Sequence, residues 1–391
     1  MAELDLDSIL NSVVPAPEAR ERTWKKFGFL RNPYPSRSHP IWDVFHNQTD
    51  VRNRFLRDLQ EFLREGNTVT LFFTGGNRVG KTHFMEYHRQ ELTEKFRASG
   101  ITVPIAVTTA QSCDFRTLYG QLIDQIDESL RIQTGLRLFE GGISEEVRSG
   151  LAKLPPGDFQ RAVSAATNDD MVLLLRRWLR GERIRAPQRT LLSVSSPIES
   201  PSQMLNTLEG LLKFLRLPET EATGVKARCR GLLFFLDEFE LVWKARRDRR
   251  DQFLQALRAL IDSAPWGMFL CVGMATGLTT GINVGMGEVE ASYPALFARL
   301  KGASEIPALQ QIGYVTEAIG YARAFEAHAR EKFRQAVGTR SYEELFTDQE
   351  IESFFTNLAG RGSVSQGDFF DRLHTEAERR TRAEVVNDGS L

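Results

Sequence analysis

Cysteine, charge of one sign and long apolar runs are what this 391-residue sequence has little of. Its three cysteines, Cys113, Cys229 and Cys271, are widely separated, which excludes a disulfide framework and the paired spacing of a zinc site. They are expected to be reduced, buried packing residues. The six histidines show no ligand spacing; His83 and His88 fall on one expected helix without a partner set. Lys and Arg number 50 against 51 Asp and Glu, a net charge of −1, so any contact with nucleic acid must come from local clusters. No apolar stretch approaches the ~20 residues of a membrane span. The opening segment, Met1 to Leu10, is acidic rather than a signal peptide. No membrane association and a cytoplasmic location are therefore expected.

What is present is a phosphate-binding loop. Gly75-Gly76-Asn77-Arg78-Val79-Gly80-Lys81-Thr82 follows the apolar run Val69 to Phe73 and opens into a helical pattern beginning at His83. The spacing is that of a P-loop, G-x-x-x-x-G-K-S/T. Glycines let the backbone wrap closely, so successive N–H groups and the next helix N-terminus point at nucleotide phosphates. Lys81 is expected to reach the β- and γ-phosphates, and Thr82 to offer its hydroxyl to Mg²⁺. The plainer reading, a glycine-rich turn, loses weight because a strand precedes the motif and a helix follows it.

A second stretch supports the first. Leu232-Leu233-Phe234-Phe235-Leu236-Asp237-Glu238 is a continuous apolar run ending in two carboxylates, the pattern of a strand buried on both faces of a parallel sheet. It reads as a Walker B element. Asp237 at the strand end is placed to hold the Mg²⁺ shell, and Glu238 to orient and polarise the attacking water. Alone, Asp237 reads equally well as a helix cap; with the P-loop, the metal reading is favoured.

Along the chain, Trp24 to Pro40 mixes aromatic, basic and proline residues, with Phe27 or Tyr34 as candidate adenine contacts and plain packing as the alternative. Helices are expected over 49–64, with Gly66 ending the segment, and over 115–130. A strand is expected over 101–109, irregular or at an edge because of Pro104. Residues 131 to about 220 read as a helical insertion without a strong strand. Within it, the arginine-rich stretch 171–185 is read as an amphipathic helix with a solvated basic face, in preference to a nucleic-acid patch. The run 244–251 is read as a charged helix start. Residues 268–276 are the next buried strand, ending at Thr276, a sensor candidate near the γ-phosphate or a simple strand-end turn. Gly277 to Gly287 is expected to be mobile. Arg299, in a short helix before a strand at about 304–306, is either an arginine finger acting across a subunit boundary or a surface arginine. From about residue 309 the pattern is helical; Ser341-x-x-Glu344 and Thr347-x-x-Glu350 are capping-box patterns, and the last helix is expected over 366–380.

On these residues the chain resembles AAA+ ATPases of the origin-recognition and transposition-regulator type. A closer likeness rests on Arg177-Trp178-Leu179-Arg180-Gly181-Glu182, Gly231 to Glu240, Ala275-Thr276-Gly277 and Tyr293 to Leu300, which look like the ATP-binding proteins of BREX-type phage-defence islands. The resemblance implies ATP as the nucleotide, with Mg²⁺. It also implies a homo-oligomer with a protein partner from the same defence system, and duplex DNA as a candidate ligand. Two departures stand out: Gln366 where a lid arginine would be expected, with Arg361 nearby, and no winged helix after the lid. The expected fold is α/β, a P-loop NTPase of AAA+ type with a parallel sheet core, a helical insertion and a C-terminal helical lid. Its expected organisation is an N-terminal arm and entry segment over 1–40, an ATPase core over 41–307 with the insertion at about 131–220, a lid over 308–380 and a tail over 381–391. Nucleotide is assigned to Gly75 through His83, metal to Thr82 and Asp237, and catalysis to Lys81, Glu238, Thr276 and Arg299. The leading expectation is an ATP-hydrolysing motor or regulator linked to DNA in anti-phage defence. The alternatives are an ATP-gated switch acting on a partner effector through the insertion, and a transposition-type regulator assembling on DNA.

Overall fold

A computed structural model of the chain describes residues 17–135, 137–139, 151–152, 156–216, 218–221, 224–227, 229–263, 267–279, 282–284, 286–301, 306–338, 341–360 and 362–387. In chain order the first elements are α1 (Pro17–Lys26), α2 (Thr49–Glu65), β1 (Val69–Gly75), α3 (Lys81–Ser99), β2 (Ile105–Thr109) and α4 (Phe115–Thr134). Next come α5 (Asp158–Ala165), α6 (Asp169–Leu179), α7 (Ala186–Leu191), α8 (Pro201–Leu215), β3 (Pro218–Glu221), β4 (Gly224–Ala227) and β5 (Leu232–Asp237). A 3₁₀-helix (Phe239–Lys244) leads to α9 (Arg247–Ser263), β6 (Met268–Ala275), β7 (Gly277–Thr279), β8 (Ile282–Val284), α10 (Met286–Ser292), α11 (Pro294–Lys301) and β9 (Ala308–Leu309). The last three helices are α12 (Val315–Val337), α13 (Asp348–Ala359) and α14 (Gln366–Asn387).

The chain divides into two compact units. One contains Thr49–Asn77 and Lys81–Leu309; the other contains the chain up to Gln48, Arg78–Gly80 and the chain from Gln310. In the first, a five-stranded sheet has the order β2-β5-β6-β1-β9, and every pairing in it is parallel. The chain thus visits the sheet positions in the order of a P-loop NTPase of AAA+ type, with β6 inserted between the P-loop strand and the Walker B strand. Strands β5 and β6 are buried along their whole length, as an all-apolar sequence requires when helices cover both faces. Phe55 on α2 is the hub of the packing, with ring contacts to Phe84 and His88 on α3, Phe235 on β5 and Phe269 on β6. Gly273 lets α3 approach the sheet: a Cβ there would lie 2.8 Å from Met85 Cε and 3.1 Å from Phe73 Cζ.

The other unit has its own core. Trp24, Phe27, Phe29 and Tyr34 pack with Tyr321, Phe325, Phe346, Phe355 and Phe369. Tyr34 Oη donates to Glu326 at 2.5 Å, and this fully buried carboxylate also meets Arg323 at 2.7 Å and Arg330 at 3.6 Å. A buried carboxylate is tolerable only with such partners. Phe27 and Tyr34 are therefore packing residues of this core, the plainer of their two readings.

Several boundaries differ from the sequence reading. Strand β2 begins at Ile105: Pro104 has no N–H to give to a ladder, and Gln133 takes both backbone groups of Val103, its Oε1 accepting from Val103 N–H at 3.0 Å and its Nε2 donating to Val103 O at 2.7 Å. β2 is the edge strand on its side of the sheet. The glycine-rich segment after Thr276 holds the hairpin β7–β8, with Gly277 opposite Val284, and β3–β4 forms a second hairpin at the end of the insertion. The strand expected at 304–306 lies at Ala308–Leu309, pairing with Thr74 and Gly75; residues 304–305 and Arg361 are outside the described residues. Ser341 opens no helix, because Glu344 is engaged by Arg323 at 3.2 Å, whereas Thr347 and Glu350 form a reciprocal capping box on α13. The last helix runs on to Asn387.

Candidate functional site

Parallel strands place their carboxyl ends along one edge of the sheet, the edge at which open α/β sheets bind ligands. Here that edge carries Gly75 at the end of β1, Asp237 at the end of β5 and Ala275 at the end of β6, with Gly75 and Ala275 in register. Thr276 follows, and its N–H donates to Gly75 O at 3.0 Å. The loop leaving β1 turns through left-handed backbone at Arg78 (φ 60°) and Gly80 (φ 97°), then enters the 19-residue helix α3 at Lys81. Such a turn directs backbone N–H groups and a helix N-terminus toward one point, where phosphate oxygens are accepted.

Lys81 is buried at the start of that helix. Its Nζ donates to the loop's own carbonyls, Gly76 O at 2.7 Å and Gly75 O at 3.3 Å. Burial pushes its ammonium below the usual lysine range, against the opposing pull of Glu240, Asp237 and Glu238. Thr82 Oγ1 donates to Asp237 Oδ2 at 2.5 Å, joining the two assigned metal ligands directly. Asp237 Oδ1 accepts from the Glu238 N–H at 2.8 Å. Burial raises the Asp237 carboxyl above its ordinary range, and the neighbouring Glu240 adds to the effect. Glu238 has left-handed backbone at φ 54°, unusual for a residue with a side chain and a feature that clusters at functional sites. Its carboxyl is raised by burial first, then by Asp237 and Glu240.

The structure thus brings together Gly75, Gly76, Lys81, Thr82, Asp237 and Glu238, with Thr276 tied to the loop through its amide. His83 is half-buried on the first turn of α3. Arg299 stands apart within the chain. Its backbone O accepts from Thr70 Oγ1 at 2.5 Å, near the start of β1, and Gly75 lies five residue steps along the strand from Thr70, roughly 16 Å. Its guanidinium is held by Asp262 and by Ala295 O. Arg78 groups with the other unit, where its guanidinium pairs with Asp368 and Asp371 and its carbonyl accepts from Gly367 N–H at 2.9 Å. Gln366, the position of the expected lid arginine, is buried and donates to Tyr321 Oη at 2.8 Å. Glu240 was not among the residues singled out in the sequence. Its Oε2 accepts from Ala275 N–H at 2.7 Å; the only sequence signal was a third carboxylate two positions beyond Glu238.

The model of a family described as BREX system ATP-binding protein BrxC/D matches residues 158–359, just over half of the chain. The chain belongs to this family. The matched residues of this BREX family member include Asp237, Glu238, Thr276 and Arg299, and begin after the P-loop. No curated protein matches the chain. Among solved structures it is similar to the Aeropyrum pernix ORC1 protein in complex with DNA, with a TM-score of 0.43 and 15% identity over 88% of this chain and 66% of that one. It is also similar to the Aeropyrum pernix ORC2 protein in ADPNP–ADP complexes, at TM-score 0.43 and 13% identity over 88% of this chain and 72% of that one. A Walker-type ATPase of Pyrococcus abyssi gives a TM-score of 0.37 and 13% identity over 92% and 77%. The chain spans just under two thirds of the length of the first of these. Among the described residues no helix is long and apolar enough to cross a membrane.

Proposed function

We propose that this BREX family member binds ATP on the Gly75–Thr82 loop and hydrolyses it with Mg²⁺. The observation that carries this reading is the Thr82–Asp237 hydrogen bond at 2.5 Å beside the loop-bound Lys81 ammonium. A hydroxyl and a carboxylate are hard oxygen ligands, and Mg²⁺ in nucleotide sites takes one or two such groups with substrate phosphates and water. When bound, the metal would supply neutralisation of the charge that develops on the transferring phosphate. Lys81 exchanges its carbonyl partners for phosphate oxygens, and the backbone N–H groups of Gly76 to His83 hold the rest of the phosphate chain. Glu238, beside the metal ligands, orients the attacking water, and Thr276 contacts the γ-phosphate from the end of β6.

Arg299 acts on a nucleotide held by a neighbouring subunit of a homo-oligomer; its place near the start of β1 keeps it from its own loop. Residues 308–380 serve as the lid of this cytoplasmic ATPase, and the rest of the defence system supplies its protein partner. The DNA-linked reading draws on the insertion. Between Glu182 and Glu199 the chain has three arginines, Arg183, Arg185 and Arg189, and no carboxylate. Ile184 is buried between exposed Arg183 and Arg185, and Arg189 lies one turn along α7 from Arg185, so the three share an outer surface suited to phosphates. The arginines of α6 are different: Arg177 pairs with Glu182, and Arg176 donates to Leu138 O. A second reading, a switch acting on a partner protein, is favoured by Leu173 and Leu191, which stand 58% and 59% exposed on the same insertion.

Steady-state ATP turnover with and without duplex DNA separates the two. Stimulation that is lost in an Arg183/Arg185/Arg189→Gln variant supports the DNA-linked motor or regulator. Turnover and assembly indifferent to DNA reject it in favour of the switch.

A further inference from the structure

The hydrogen bond from Ala275 N–H to Glu240 closes a connection that the Walker B reading does not use. Glu240 sits in the 3₁₀-helix directly after the Asp237–Glu238 turn, and Ala275 is the last residue of β6. Ala275 is in register with Gly75, and the next amide, Thr276 N–H, donates to Gly75 O. One carboxylate therefore fixes the backbone from which Thr276 projects, beside the first glycine of the phosphate loop.

We propose that Glu240 is a positioning residue for ATP hydrolysis, acting through Thr276: its carboxylate holds the Ala275–Thr276 backbone so that Thr276 meets the γ-phosphate. The inference rests on the hydrolysis reading above.

Glu240→Ala removes the acceptor and should lower kcat roughly 10- to 100-fold, the scale of a slight misplacement at a reacting centre, with KM for ATP changed less than about threefold. Glu240→Gln keeps an oxygen for Ala275 N–H, so it should recover most of kcat. Adding Thr276→Ala to Glu240→Ala should cost little more than either change alone, because the two residues act as one unit. Full kcat in Glu240→Ala, or losses that multiply in the double variant, would overturn the proposal. If Glu240→Ala does not fold, a kcat in Glu240→Gln as low as that of Thr276→Ala overturns it instead. Wild-type protein that binds ATP but never turns it over sinks the hydrolysis reading itself, an outcome distinct from active wild type with an indifferent Glu240.

Discussion

Replacing Asp237 with Asn should make the nucleotide-free protein more stable and its nucleotide site useless. Asp237 is 3% exposed, and its two oxygens accept one hydrogen bond each, from Thr82 Oγ1 and from Glu238 N–H. Asn preserves both contacts: its oxygen takes the Glu238 amide, and its NH₂ faces Thr82, whose hydroxyl turns to accept. What disappears is a desolvated charge crowded by Glu240. Relief of such a buried charge is worth on the order of 1–4 kcal/mol, and lost charge assistance in two hydrogen bonds takes back roughly 1 kcal/mol. A net gain of about 1 kcal/mol corresponds to a Tm about 2–4 °C higher for a unit of this size.

The pH dependence follows the sign of the shift. The folded-state carboxyl is raised, so its stabilising contribution is fully present below the unfolded-state value of about 3.9 and is lost as pH rises through the folded value. The variant's advantage should therefore be greatest near neutrality and fade toward pH 4. Calorimetric melting across that range, with and without Mg-ATP, is the assay. Wild type should gain Tm from Mg-ATP beyond its gain from ATP alone, and Asp237→Asn should not. A variant that melts below wild type at pH 7, or that retains the Mg²⁺ increment, would refute the reasoning.

His88 is buried in the Phe55 hub, and burial lowers it to about 4. Its contribution is present above the ordinary histidine value and lost as pH falls toward about 4, a loss on the order of 3 kcal/mol; His88→Leu should flatten the wild-type fall in Tm over that window, and parallel pH slopes would contradict this. Tyr34→Phe removes the donor to the fully buried Glu326 and should cost about 1–3 kcal/mol in urea unfolding. An unchanged midpoint would show that Arg323 and Arg330 satisfy Glu326 without Tyr34.

The central sheet was legible because its strands are continuous apolar runs whose ends carry the chemistry: Val69 to Gly75 runs into glycines and Lys81, and Leu232 to Leu236 into Asp237. Periodicity also located the amphipathic helices, with Val51, Phe55, Leu59 and Phe62 buried on α2 and Leu174, Leu175, Trp178 and Leu179 on α6. What was not legible depends on partners distant in the chain. Ile101 to Val103 has strand-forming residues, but Gln133 takes both backbone groups of Val103 and Pro104 has no N–H, so the segment before Ile105 meets residues 230–233 only through Thr102 O and Pro104 O. Phe27 and Tyr34 are placed by a core assembled from residues beyond 310, which no local pattern near residue 30 reveals. Glu344 matches a capping box in spacing, yet Arg323 holds its carboxylate. Glu240 stands two positions past a recognised motif, and its significance lies in an amide 35 residues further on.

The most direct test of the account is steady-state ATP hydrolysis by the purified chain beside its Glu238→Gln and Lys81→Ala variants, with nucleotide binding measured in parallel. Mg²⁺-dependent turnover in wild type, retained binding without turnover in Glu238→Gln, and loss of binding in Lys81→Ala are the predicted results. Normal hydrolysis by Glu238→Gln, or undiminished ATP binding by Lys81→Ala, would contradict the assignment of the site.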